Sequence, residues 1–491
     1  MTRSDLWERH KSERVKSVTH RYYQEFSEPI DFSDYMCYNV SVINQSHFIL
    51  NKEHNTMANN PDAYLLYEYM DKVCYTVRAK IRLSETIDEK LLNEAAQEAL
   101  TRLPYFSVKA VLDNGGNYMI QHNDAPMPVI PENPDKKLIL GSEKLNRHLF
   151  VITYRGDTVW FSFSHSICGG FGLMFWVKTT LYLYLSKKYG EIEKPNEIKL
   201  PGTPVDPEEL FLPDADSIPD DKPLTRYNGG STNIGITRFL KYLINPFAQN
   251  NYFFQLTIPA DKFMDYARKI DGSPNTVLSA LFFKSCVDYF KEKKDTHLSV
   301  RIADDYRNDI GAEKSYRDFV RLLHIRYDWN MRGETIEKLN MRARGAILGQ
   351  SQPELSYERY KNLEKVHKGI DEQPDLKSKK KYAGANSTFR NDTRDTFTIS
   401  YTKPVDWGGM SQYIKDFFLI TDGDLMLEVI ALKDKFCIAF QLINKDKKPF
   451  ELFCKLLEQE NIPYEASVQQ KRMLPKIELP SAFISSGLQG S

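Results

Sequence analysis

Apolar and polar positions first fall into a clear rhythm near residue 72. In "VCYTVRAKIRL", Val73, Tyr75, Val77, Ala79, Ile81 and Leu83 alternate with Lys72, Arg78, Lys80 and Arg82. That period of two predicts a half-buried strand. Thr86 and Glu89 have capping-box spacing, and Ile87, Leu91, Ala95, Ala99 and Leu103 then form one helical stripe that Pro104 ends. "YFSVKAVL" reads as a strand, and "DNGG" (Asp113–Gly116) as a turn into "NYMIQ". "HLFVITY" and "TVWFSFSH" flank Arg155–Asp157 as a hairpin, with Val159, Phe161, Phe163 and His165 on one face. Residues 172–187 are apolar on nearly every side, which predicts a buried helix.

The pattern breaks over residues 201–250, rich in Pro, Asp and Gly, and then resumes. Strands are expected at 252–258, within "HLSVRIA" and at 319–327, with helices at 260–270, 274–293, 334–349 and 354–367. Residues 372–395, containing "KSKKK" (Lys377–Lys381), read as a polar loop. Strands "FTISYT", "LMLEVIAL" and "FCIAFQLI" and a helix at 448–460 complete the chain. The expected organisation is an N-terminal arm (1–70), a first α/β lobe (71–200), a crossover (201–250) and a second α/β lobe (251–491), with a cleft shared by the lobes.

Composition narrows the function without naming it. Of 491 residues, 41% are hydrophobic and 27% charged, and the formal net charge is zero. That balance supports a large core and gives no overall attraction for nucleic acid or an anionic membrane. The six cysteines show no CxxC spacing and the ten histidines no ligand spacing, so no metal is expected. The charged start "MTRSDLWERHKSERVK" lacks a signal-peptide core, and no apolar run is long enough to span a bilayer. A cytoplasmic location is expected. No Walker loop and no GxGxxG between strand and helix is present, which disfavours a nucleotide-fold enzyme.

"FSFSHSICGGFG" carries the candidate chemistry. A strand buried by its composition delivers His165 to a turn containing Gly169 and Gly170, and a helix follows within one turn. Glycines permit a tight turn and close approach of another molecule. Free N–H groups at the helix start can hold developing negative charge. A neutral imidazole beside such donors is equipped to take a proton from a nucleophile. Cys168 offers a rival reading as a thiolate nucleophile near a helix N-terminus, but cysteine is also a common small buried residue and no cysteine-protease signature surrounds it. Lys377–Lys381 could meet a phosphate, although such runs are usually solvated.

"HSICGG" resembles the HxxxDG motif of the CoA-dependent acyltransferase superfamily, which includes chloramphenicol acetyltransferase, carnitine acyltransferases, alcohol acetyltransferases, plant BAHD enzymes and nonribosomal peptide synthetase condensation domains. "IDEKLLNEAAQEALTRLPYFSVKAVL" looks like the first helix and strand of those proteins. "PVDWGGM" (Pro404–Met410) is similar to the late DFGWG motif of the BAHD group, and "SPNTVLSALFFKS" to the helix that opens the second lobe. The resemblance spans roughly residues 70–470. It implies a fold of two similar α/β lobes, each a mixed sheet with flanking helices, and a tunnel between them. It also implies transfer of an acyl group from acyl-CoA, or a carrier-protein phosphopantetheine thioester, to a hydroxyl or amine. His165 would be the general base, Gly169 and Gly170 would shape its loop, and Asp406, Gly408 and Gly409 would support the lobe interface. The motif aspartate is Gly169 here, and its usual arginine partner aligns with Ser107, so both halves of the expected salt bridge are missing. The resemblance therefore also implies a second class of function, a noncatalytic protein of this fold that binds an acyl ligand or a partner.

Overall fold

The computed structural model describes residues 63–69, 75–226, 252–290, 297–387, 395–423, 425–442 and 445–481. The arm expected over residues 1–70 lies outside these except for its last residues, and so does the latter part of the crossover, 227–250. Residues 63–69 belong to the fold: helix α1 (Tyr64–Glu68) stacks Tyr64 on His367, with ring centroids 3.9 Å apart, and the Tyr67 hydroxyl accepts from the Tyr118 N–H at 2.9 Å.

Strand β1 (Thr76–Leu83) forms where the alternation predicts. Its polar face is not simply solvated. Arg78 is buried, lies over the Trp160 ring and pairs with Glu132. Helix α2 (Glu89–Arg102) begins two residues later than the capping box suggests. Its N-cap is Asp88, whose carboxylate accepts from the Leu91 N–H at 3.0 Å. Asp is as good a cap as Thr, and this register puts Leu92, Ala95, Ala96 and Ala99 in the core.

Strands β2 (Val108–Leu112) and β3 (Tyr118–His122) form a hairpin across the Asp113–Gly116 turn. After β4 (Val129–Pro131) and the short β5 (Ile139–Leu140), β6 (Phe150–Arg155) and β7 (Thr158–Ser164) make the expected antiparallel pair. Helix α3 (Gly170–Tyr189) is buried along most of its length.

The second half contains β8 (Tyr252–Pro259), α4 (Ala260–Lys269), α5 (Pro274–Phe290), β9 (His297–Asp305) and β10 (Val320–Asp328). Helices α6 (Ile336–Gln350) and α7 (Pro353–Asp371) follow. The stretch read as a polar loop instead contains helix α8 (Leu376–Asn386), capped by Asp375 through the Ser378 N–H at 2.8 Å. The lysine run is correspondingly not all solvated. Lys379 is buried and donates to the Ile370 and Asp371 carbonyls at 3.0 and 2.9 Å, closing the C-terminal end of α7.

Strands β11 (Phe397–Thr402), β12 (Ile414–Ile420), β13 (Met426–Ala431) and β14 (Lys435–Leu442) precede helix α9 (Lys448–Gln459). Two mixed sheets result. One has the order β12-β1-β7-β6-β4, with only β4 and β6 parallel. The other has the path β10-β9-β11-β13-β14-β8, extended by short strands that pair with β8, and β11 runs parallel to both its neighbours. Each sheet has its own hydrophobic core.

A division of the chain at residue 250 does not separate the sheets. Strand β12, from the second half, pairs with β1 and completes the first sheet, with Ala79 opposite Leu419 and Ile81 opposite Phe417. All four of those side chains are buried, so β12 continues the buried surface of β1 across the sheet.

Candidate active site

Strand β7 is buried along its whole length and ends at Ser164, one residue before His165. The His165 N–H donates to the Tyr75 carbonyl at 2.7 Å, which extends the β1–β7 ladder to the histidine itself. The chain then turns, with the Ile167 N–H on the Ser164 carbonyl at 3.1 Å and the Ser164 and Ser166 hydroxyls 2.7 Å apart. Helix α3 starts at Gly170 with Gly169 as its N-cap, and no side chain caps it. Its first backbone N–H groups are therefore left without a side-chain acceptor, as the sequence pattern predicts.

The His165 side chain is 31% exposed. It borders a cavity of about 130 Å³, and residues of both halves form the wall, among them Tyr64, Asp318, Arg359 and His367. Burial pushes the carboxyl of Glu428 on β13 up to about 7, against the hydrogen bonds of Ser400 and Thr421 and the charge of His165. Glu428 accepts from the Thr421 hydroxyl at 3.1 Å. Cys168 is fully buried in the first core, where a thiol is poorly placed to meet a substrate.

The neighbour of Gly169 differs from the one the alignment suggests. A Cβ built at Gly169 would lie 2.4 Å from Oδ1 and 3.0 Å from Cγ of Asp318, while the Ser107 hydroxyl is turned to the Asn123 carbonyl at 2.8 Å. Asp318 Oδ2 is 3.4 Å from His165 Nδ1. Asp318 is carried by the segment between β9 and β10, and a glycine lets that segment come close. A Cβ at Gly172 would fall 2.1 Å from the Tyr316 carbonyl oxygen.

The same segment is fixed from behind. The Tyr316 N–H donates to the Glu209 carbonyl at 3.0 Å, Arg317 Nη1 to the Leu210 carbonyl at 2.6 Å, and Arg307 Nη1 to the Ser315 carbonyl at 2.5 Å. The Glu209 carboxylate is itself buried. It receives Arg102 through two bonds of 2.9 and 2.6 Å, the Tyr105 hydroxyl at 3.0 Å and Lys199 Nζ at 3.0 Å.

The residues of "PVDWGGM" are not among those lining the cavity. Asp406 accepts from the Asn196 and Gly408 N–H groups at 2.7 and 2.9 Å, and the Gly409 N–H donates to the Glu193 carbonyl at 2.9 Å. Gly408 has φ +51°, and a Cβ there would sit 2.7 Å from the Glu193 carbonyl oxygen. The motif thus clamps the stretch after α3 to the start of β12. Asp318 and Glu428 carry no signature in the sequence. The only available hint of Asp318 was the missing carboxylate at position 169.

Among the described residues no cluster of three or more acidic, histidine or cysteine side chains is arranged to hold a metal, and no helix is long and apolar enough to cross a membrane.

No family model and no curated protein sequence matches the chain. Solved structures do. F. sporotrichioides TRI101, solved with coenzyme A and T-2, superposes with a TM-score of 0.53 at 9% identity, covering 81% of this chain and 97% of that one. F. graminearum TRI101, solved with coenzyme A and deoxynivalenol, gives a TM-score of 0.50 at 9% identity over 82% and 98% of the two chains. The first condensation domain of the CDA synthetase gives 0.47 at 12% identity over 81% and 93%. The two TRI101 superpositions show that the chain shares the two-lobed α/β fold of those structures.

Proposed function

We propose that the protein transfers an acyl group from acyl-CoA, or a phosphopantetheine thioester on a carrier protein, to a hydroxyl or amine, with His165 as general base. The observation that carries the reading is the position of the imidazole. It leaves the end of a buried strand, faces a cavity walled by both halves, and is followed within five residues by a helix start that no side chain caps. The coenzyme A in the TRI101 structures supports the donor class.

In this mechanism the acceptor enters the cavity beside His165, and its hydroxyl or amine attacks the thioester carbonyl. As the new C–O or C–N bond forms, the imidazole takes the acceptor's proton. The carbonyl oxygen becomes an oxyanion, which positive backbone dipoles near the Gly169–Gly170 turn are suited to stabilise. Collapse re-forms the carbonyl and breaks the C–S bond, and the imidazolium returns the proton to the departing thiolate. No acyl-enzyme forms. The work assigned to Gly169 and Gly170 is to shape this loop, and that of Asp406, Gly408 and Gly409 is to support the lobe interface, by holding the stretch after α3 to the start of β12.

A second reading, an acyl-ligand or partner-binding protein without turnover, draws on Gly169, which replaces the motif carboxylate. Mass spectrometry after incubation with mixed acyl-CoAs and a pool of alcohols and amines separates the two. Acylated product that falls about 10²–10⁴-fold in a folded His165→Ala variant supports catalysis. Tight acyl-CoA binding without product, or product unaffected by His165→Ala, refutes it.

A further inference from the structure

We propose that Asp318 is the positioning residue of His165, supplied by the second half of the chain into the space left by the side chain that position 169 lacks. The inference rests on His165 as the base, and it assigns a carboxylate that the motif itself has lost.

Three observations meet at this point. Asp318 Oδ1 occupies the place of a residue-169 Cβ, within 2.4 Å, so this approach exists only because position 169 is glycine. Oδ2 of the same carboxylate faces His165 Nδ1 at 3.4 Å. Finally, His165 Nδ1 and Asp318 Oδ1 are both shielded from solvent and neither has a hydrogen-bond partner among the described residues, so nothing else competes for the ring nitrogen that Oδ2 faces. A separation at the long edge of hydrogen bonding is usual before a substrate closes such a site.

An ionised Asp318 holds the ring proton on Nδ1. That leaves Nε2 with its lone pair for the acceptor, and it stabilises the imidazolium once the proton has moved. Burial pushes the Asp318 carboxyl upward, while His165, Arg307 and Arg359 oppose the rise and Asp305 adds to it. Tyr306 senses the Asp318 charge from the same segment, and Glu428 on β13 senses that of His165. All of these other groups are kept in the variants below.

The test reads the ring directly and needs no turnover. Nitrogen NMR of ¹⁵N-histidine-labelled protein, with His165 assigned through His165→Ala, reports its tautomer and its titration. In the parent, neutral His165 is expected to carry its proton on Nδ1. Asp318→Asn keeps the shape but removes the charge that favours the imidazolium, so the His165 midpoint should fall and the tautomer preference should weaken. Gly169→Ala should do the same without touching Asp318, because its methyl group displaces the carboxylate. Where turnover is measurable, both variants should lower kcat about 10–10²-fold with little change in KM, and the acid limb of the rate profile should move to lower pH. Unchanged His165 tautomer and midpoint in both variants, with native melting curves, overturns the assignment. A His165 response in a protein that transfers no acyl group sustains the positioning by Asp318 and removes the acyltransferase reading alone.

Discussion

The buried carboxylate of Glu209 is the strongest test of how the site is held from behind. It is fully buried and is met by Arg102, itself only 4% exposed, through two hydrogen bonds, with Lys199 and Tyr105 completing the shell. Burial would raise its pKa, but the bonds from Arg102 and Lys199 hold it below the usual carboxylate range. Glu209→Gln leaves the guanidinium against a neutral amide. Breaking a buried pair from one side costs about 3–5 kcal/mol. At about 2.1 cal/mol/K of unfolding entropy per residue over roughly 400 residues, that is a fall of ~4–6 °C in melting temperature. Arg102→Met with Glu209→Leu removes both charges, and Lys199, 18% exposed, can carry its ammonium to solvent. The double variant should therefore melt well above the sum of the two single losses. The sign of the pH effect is also fixed. A carboxylate depressed in the folded state contributes stability above its unfolded pKa and loses it as pH falls through the folded value, so the gap between parent and Glu209→Gln should narrow in acid. Scanning calorimetry of the parent, Glu209→Gln, Arg102→Met, Glu209→Leu and the double variant at two pH values is the measurement. Strictly additive losses, or a single-variant fall below about 1 °C, would refute the argument.

Two further outcomes follow from the site. Cys168→Ala should keep most of any acyl transfer, because the thiol is buried and the direct reaction needs no covalent intermediate; a trapped acyl-Cys168 peptide in mass spectrometry would overturn this. Glu428, raised from 4.5 to about 7 by burial, is stabilising as the neutral acid and loses that contribution as pH rises towards 7, a difference of about 3 kcal/mol at 1.36 kcal/mol per pH unit. Glu428→Gln should then be more stable than the parent at pH 8 and close to it at pH 4, by denaturant melts; a parent advantage at pH 8 would contradict the assignment.

The elements that could be read from the sequence are those whose signal is local. The alternation in β1, the hairpin closed by Arg155–Asp157 and the apolar length of α3 each declare themselves within a few residues, and they place His165 at a strand end before a helix. Helix α8 was locally legible too, since Asp375 and Ser378 form a cap, but the lysines after it read as solvated. Strand β12 was not. Its sequence "IKDFFLI" lacks clean alternation, and what makes it a strand is pairing with β1, far earlier in the chain. The same holds for Asp318. One carboxylate in "SYRDFV" means nothing until Gly172 lets that segment approach and Gly169 leaves room for it. What Ser107 contacts was equally hidden, because strand-level similarity fixes where a side chain starts and not what it faces: its hydroxyl turns to the Asn123 carbonyl.

The pairing of β12 with β1 also bears on the order in which the chain can mature. Strand β1 leaves the ribosome early, with one edge taken by β7 and the other destined for residues 414–420. Until those residues are made, the nascent first sheet carries an unpaired edge, a feature that invites association with other chains. Synthesis at about 5–20 residues per second keeps that edge waiting for on the order of tens of seconds. A fragment ending near residue 250 would wait indefinitely, so the first half is a poor candidate for expression alone. The second sheet has no such debt, because its main strands, β8 to β11, β13 and β14, all come from the second half of the chain.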